Sequence, residues 1–196
     1  ERNGSGVWAQ TAYLKASNIG AGDHFGKSVS IHGDYAIVGA NVEDSNSILD
    51  QTNNSSADSG AAYIFERNGS GVWAQTAYLK ASNIGANDHF GYSVSINGNY
   101  AIIGAYNEDS DTLGNETGAT DSGAAYIFER NGSGVWSEIK MVKASNAKGK
   151  EQTGTVYGDY FGNSVAITDN GTHIVGANQE YTTVDKSGAA YIYEPA

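Results

Sequence analysis

The chain contains no cysteine, which excludes a disulfide framework and thiolate chemistry. No apolar run approaches the ~18 residues that a membrane-spanning helix requires, so membrane insertion is not expected. Stretches with helical hydrophobic periodicity are also missing. Positive charge is scarce: 11 Lys and Arg stand against 22 Asp and Glu, for a formal net charge of −11. The acidic residues are spread over loops, and such a surface repels phosphate backbones, so nucleic acid is not an expected partner. No glycine-rich loop opens a helix, and nucleotide binding therefore has no support. No secretory leader is visible. The chain opens in mid-repeat, however, with Glu1-Arg2-Asn3-Gly4 matching the stretches at Glu66 and Glu129. It reads as an excerpt of a longer protein, and the lack of a leader carries no weight.

What the chain does contain is repetition. Gly, Tyr, Val, Ile and Ala dominate, with turn signals about every 8 to 12 residues, a composition that favours an all-β protein. The stretch Asp23-His24-Phe25-Gly26 through Val38-Gly39-Ala40 recurs as Asp88–Ala105 and, more loosely, as Asp159–Ala177. Each copy is two alternating apolar runs joined by a tight polar turn, the pattern of a β-hairpin. Upstream of each copy lies a Trp-led segment (Val7, Val72 and Val135 onward), and downstream lies Ser-Gly-Ala-Ala-Tyr-Ile-Phe or its variant (Ser59, Ser122 and Ser187 onward). The chain is thus about three copies of a four-strand unit of roughly 65 residues, a period at which repeat architectures occur.

Within a unit, the predicted order is a Trp-led strand over 7–17, a strand Phe25–His32, a turn at His32-Gly33, a strand Tyr35–Ala40, a long loop 41–58 and a strand Gly60–Glu66. In the second copy Asn97-Gly98 is the expected turn pair, with φ > 0 at both residues. A unit of this kind cannot bury both faces alone, and stacking sheets face to face would cover them. Gly26, Gly39 and Gly60 are expected where strands or backbones pass closely.

Phe25-Gly26 followed by Gly39-Ala40-Asn41, then Gly60-Ala61-Ala62-Tyr63-Ile64-Phe65 and the Trp-led strand, resembles the FG-GAP repeat, three times over. That repeat is the blade of the integrin α-subunit β-propeller and of many bacterial secreted and surface proteins. The resemblance implies an all-β fold of tandem four-stranded antiparallel blades. Phe25–His32 would be the innermost strand, followed outward by Tyr35–Ala40, Gly60–Glu66 and the Trp73 strand. It divides the chain into an outer strand (1–22) completing a preceding or closing blade, a first blade (23–87), a second (88–158), and a third (159–196) lacking its outer strand. Two departures stand out. The proline of the GAP is replaced by Asn41, Tyr106 and Asn178. The calcium loop of integrin-type blades is replaced by short turns with too few oxygen ligands for a 6–8-coordinate site, so that site does not carry over.

Candidate chemistry can be weighed by comparing the copies. His24 and His89 precede Phe-Gly, but the third copy has Tyr160, which favours a packing role over a catalytic one. Ser59 and Ser122 follow an Asp, yet the third copy reads Lys186-Ser187, and no adjacent base is implied. Asp23, Asp88 and Asp159 hold one position and are expected to cap a turn through backbone N–H groups. The long loops are the best site candidates. Glu43, Asp44, Asp58, Glu108, Asp109, Asp111 and Asp121 are candidate Ca²⁺ ligands on one rim, weighed against a solvated acidic loop. Asn53, Asn54 and Asn115 head glycosylation sequons. The expected role is a non-enzymatic extracellular segment, secreted or at the cell surface, for recognition, adhesion or surface architecture, with protein or glycan on the loop face. Two further readings are a self-assembling subunit of a fibre or matrix, joined by strand exchange between copies, and a propeller attached to an enzyme in a longer chain. No cofactor is expected beyond calcium.

Overall fold

The structure is a computed structural model describing residues 4–47, 49–110, 119–147, 158–180 and 186–195. Its strands are β1 (Ser28–His32), β2 (Tyr35–Ala40), β3 (Ala61–Arg67), β4 (Trp73–Leu79), β5 (Ser93–Asn97), β6 (Tyr100–Ala105), β7 (Ala124–Arg130), β8 (Trp136–Val142), β9 (Phe161–Ile167), β10 (His173–Ala177) and β11 (Ala189–Tyr193). They form three antiparallel sheets ordered β1-β2-β3-β4, β5-β6-β7-β8 and β9-β10-β11. Among the described residues there is no helix. The alternating runs and β-branched residues thus build blade-like meanders, as expected.

The hairpin turns are set one residue later than the sequence predicted. His32 pairs with Tyr35 and Asn97 with Tyr100, so the central pairs are Gly33-Asp34 and Gly98-Asn99. Only the glycines have positive φ, at 57° and 60°. That is the type II′ requirement, Gly first, rather than the type I′ turn expected from Asn-Gly. β3 and β4 slip register after Ile64, and β7 and β8 after Ile127. One extra residue on each outer strand makes a bulge.

The sheets stack in chain order, with β1 against β5 and β5 against β9, and within the described residues they do not close. The first strand-forming glycines explain how closely they approach. A Cβ on Gly39 would lie 2.0 Å from the carbonyl oxygen of Gly91, and one on Gly104 would lie 2.0 Å from that of Gly162. The same carbonyls accept hydrogen bonds from Ser28 Oγ and Ser93 Oγ, each at 2.7 Å. Ile37, Ala62, Ile64 and Leu79 of the first sheet pack on Phe90, Val94, Ile96 and Ile103 of the second. Ile102, Ala125 and Ile127 on its other face pack on Phe161, Ile167 and Val175 of the third.

The expected strand over 7–17 is not formed. Trp8 makes a single bridge and residues 9–16 are irregular; among the described residues no strand stands beside them as β3 stands beside β4. The segment is nonetheless docked on the first sheet at its far end. Ser17 N donates to Gln75 Oε1 at 3.0 Å, and Gln75 Nε2 donates back to Ser17 Oγ at 2.9 Å.

Candidate functional site

Antiparallel order brings the β2–β3 connections and the links between successive units to one end of the stack. There each unit buries a carboxylate. Glu43 accepts from Lys80 Nζ at 3.0 Å, from Asn18 Nδ2 at 2.8 Å and from Ser45 Oγ at 2.9 Å. Lys80 also donates to Ser59 Oγ at 2.7 Å, and the Tyr63 hydroxyl donates to Asn18 Oδ1 at 2.8 Å. The second unit repeats the arrangement. Glu108 accepts from Lys143 at 2.5 Å, from Asn83 at 2.8 Å and from Ser110; Lys143 reaches Ser122 at 2.8 Å, and Tyr126 holds Asn83 at 2.8 Å. In the third, Asn146 donates to Glu180 at 3.0 Å and Tyr191 to Asn146 at 2.8 Å.

The sequence signal for this device is Lys15-Ala16-Ser17-Asn18, repeated as Lys80-Ala81-Ser82-Asn83 and Lys143-Ala144-Ser145-Asn146. Its Lys serves the carboxylate of the unit just ended, while its Asn, three residues on, serves that of the next. One tetrapeptide therefore ties neighbouring sheets together. Burial pulls the Lys80 and Lys143 amines below their ordinary range, with the adjoining Glu43 and Glu108 opposing that pull.

These contacts correct several sequence expectations. Glu43 and Glu108, expected on a rim, are instead buried and ion-paired to lysine. Asp44 Oδ1 accepts the Asp58 N–H at 2.9 Å, and Asp109 Oδ1 accepts the Asp121 N–H at 2.8 Å, so each aspartate braces its own loop. Asp58 and Asp121 occupy a left-handed turn position, φ 53° and 56°, shared with Lys186 at φ 53°. Asp111 and Asn115 lie outside the described residues. Among the described residues no group of three or more His, Asp or Glu is disposed to hold a metal. Asn53 and Asn54 are exposed in the first loop. The Ser59 and Ser122 hydroxyls do have an adjacent basic group, contrary to expectation, namely Lys80 and Lys143. They are buried, and their lysines are already salt-bridged.

Asp23 and Asp88 act as caps, accepting from Gly20 N–H at 2.8 Å and Gly85 N–H at 2.9 Å. His24, His89 and Tyr160 share a left-handed backbone, φ 55°, 59° and 56°. His173, with no partner visible in the sequence, places Nδ1 2.9 Å from the Gly171 carbonyl oxygen and stacks on Tyr193 at 5.1 Å.

A second feature of this end was not visible in the sequence. Tyr106, directly after β6, stacks on His89 at 5.4 Å and meets Tyr92 at 4.3 Å and Tyr160 edge-on at 5.3 Å. Lys27 Nζ lies 4.3 Å from the centre of the Tyr92 ring. The rings are half-buried and belong to none of the apolar cores. Burial, and then the neighbouring Tyr92 and Tyr160, raise the Tyr106 hydroxyl above the ordinary phenol range. The scaffold does not demand these rings. The other units carry Asn41 and Asn178 where the second has Tyr106, and Lys27 and Asn163 where it has Tyr92.

A family model described as FG-GAP repeat matches residues 8–65, 73–128 and 152–193. No curated protein matches the chain.

Proposed function

This chain belongs to the FG-GAP repeat family, and on that footing we propose that it is a non-enzymatic extracellular recognition module whose loop end contacts a glycan or protein surface. Repeats of this family are typically extracellular modules of recognition and adhesion and are generally not enzymes. The observation that carries the reading is the ring cluster of His89, Tyr92, Tyr106 and Tyr160 with Lys27 beside it. Tyrosine offers an apolar face with a polar edge, which suits sugar rings and protein surfaces alike, and binding residues commonly ride on loops over a rigid scaffold. The acidic loops brace the scaffold in this reading, and calcium has no part in it.

The test is retention on a glycan array and on immobilised extracellular-matrix proteins, comparing the chain with its Tyr92→Asn/Tyr106→Asn variant. Asn occupies both positions elsewhere in the chain, so the variant keeps the fold. Selective retention that falls by about 10-fold or more, the worth of an aromatic contact or two at ~0.5–1.5 kcal/mol each, supports the proposal. Retention that the variant leaves unchanged removes the cluster from it, and no retention on any surface removes the proposal itself.

A further inference from the structure

The buried carboxylates of the first two units each join two groups that can react with one another. Glu43 holds the Lys80 ammonium on Oε2 at 3.0 Å and the Asn18 carboxamide on Oε1 at 2.8 Å. Glu108 holds Lys143 on Oε2 at 2.5 Å and Asn83 on Oε1 at 2.8 Å. An amine and a carboxamide thus lie side by side across a single carboxylate, with the same oxygens used both times. A salt bridge alone needs no carboxamide beside it.

The surroundings suit attack of the amine on the amide. The side chains of Lys80 and Glu43 are 1% and 2% exposed, and those of Lys143 and Glu108 are 6% and 0% exposed, so little water reaches the cluster to solvate the amine or compete with it. Burial draws both amines below their ordinary range, toward the neutral form in which nitrogen is a nucleophile. On the far side of the amide, the Tyr63 hydroxyl donates to Asn18 Oδ1 and the Tyr126 hydroxyl to Asn83 Oδ1, each at 2.8 Å. Negative charge develops on that oxygen when an amine adds to Cγ, and a donor already in place stabilises it. Nucleophile, proton carrier, electrophile and oxyanion donor are therefore assembled twice, from the same residue types at matching positions of the repeat.

We propose that each cluster closes an intramolecular amide bond, from Lys80 Nζ to Asn18 Cγ in the first unit and from Lys143 Nζ to Asn83 Cγ in the second. The glutamate first takes a proton from the ammonium. The freed amine turns from Oε2 onto the asparagine Cγ and adds to it, an encounter that the shared carboxylate has already arranged. The glutamic acid returns its proton to Nδ2, the Cγ–Nδ2 bond breaks, and ammonia leaves, carrying off the surplus proton of the new amide as ammonium. One C–N bond forms and one breaks; nothing is oxidised and no co-reactant is needed. Until then both lysines remain the charged members of their ion pairs. Residues 18 and 80 bracket β1 to β4, and residues 83 and 143 bracket β5 to β8. Lys80 and Asn83 lie three residues apart in one link, so the two bonds draw a nearly continuous covalent line past both sheets, and a pull along the chain bypasses the strands. The inference is independent of what the loop end binds.

The test is intact-mass spectrometry and peptide mapping of the purified chain, fresh and after prolonged incubation. The mass is expected to fall short of that of the sequence by two molecules of ammonia, with Asn18 recovered joined to Lys80 and Asn83 joined to Lys143. Glu43→Gln is expected to lose the first bond and keep the second, and Glu108→Gln the reverse, with circular dichroism to confirm folding. A wild-type mass equal to that of the sequence in both samples would overturn the proposal. So would an ammonia loss that maps to succinimides at Asn-Gly pairs such as Asn68-Gly69, or a first bond that forms undiminished in Glu43→Gln.

Discussion

Lys80 carries more of the fold than its place at the end of an outer strand would indicate. Its ammonium is buried against Glu43 at 3.0 Å and held by Ser59 at 2.7 Å. Removing one member of a buried pair leaves the other charge without compensation, which costs about 3–5 kcal/mol. Lys80→Met is therefore expected to lower the urea midpoint sharply. Lys80→Met with Glu43→Gln should recover most of the loss, because the amide is neutral, its oxygen still accepts from Asn18, and its NH2 can donate to the Ser45 hydroxyl oxygen. A single variant within about 0.5 kcal/mol of wild type, the range of ordinary surface substitutions, would show that the pair is solvated. The carboxylates were legible in the sequence as recurring acids, but their role was not. The partner lies 37 residues away in the first unit and 35 in the second, and only the folded stack brings them together. The thrice-repeated Lys-Ala-Ser-Asn was the one available clue, since it persists where the adjoining outer strand diverges to Ser137-Glu138-Ile139-Lys140. The ring cluster had no such clue, because its members come from two units and its Tyr92 and Tyr106 differ from their counterparts.

At the scale of the strand, glycine sets how near two sheets can stand. Gly104→Ala would drive a methyl group into the Gly162 carbonyl at 2.0 Å, against backbone that cannot rotate aside. Overpacking of that kind costs about 1–3 kcal/mol or more. Gly176→Ala meets chiefly the rotatable Ser164 hydroxyl, so it should cost much less. Denaturant unfolding of the two variants would compare them. Equal losses at both positions would assign the cost to the strand itself rather than to the junction. Strand existence and order were legible because each unit alternates cleanly between turn residues. Turn register was not, because Asn97-Gly98-Asn99 offers two overlapping turn pairs, and pairing along β5 and β6 chooses the second. Residues 7–17 carry every local signal of a strand and yet form none. A strand needs a neighbour, and local propensity cannot supply one.

Across the whole molecule, the buried hydroxyls and amines make stability depend on alkaline pH in two opposing ways. Burial raises the phenols of Tyr63, Tyr78 and Tyr126 well above their ordinary value of 10.0, and pushes Tyr193 up to about 12. Above pH 10 the unfolded chain releases protons that the folded chain still holds, so stability present below that pH is lost as it rises through the folded values. Lys80 and Lys143 act with the other sign. Burial lowers their folded values beneath 10.5, so the unfolded chain holds the extra protons, and stability gains with pH until about 10.5. Beyond that point only the tyrosines contribute, and the unfolding midpoint should turn down. The check is a series of urea midpoints across the alkaline range, alongside phenolate absorbance. The buried tyrosines should ionise only as the fold is lost, in one cooperative step, after the exposed ones have titrated freely. Tyr63→Phe/Tyr126→Phe should flatten the downward limb while costing about 1 kcal/mol for each hydrogen bond lost to Asn18 and Asn83. If Tyr126 titrated smoothly near pH 10 in the intact chain, the core between the first and second sheets would be open to water, and the close packing set there by Gly39 would have to be abandoned.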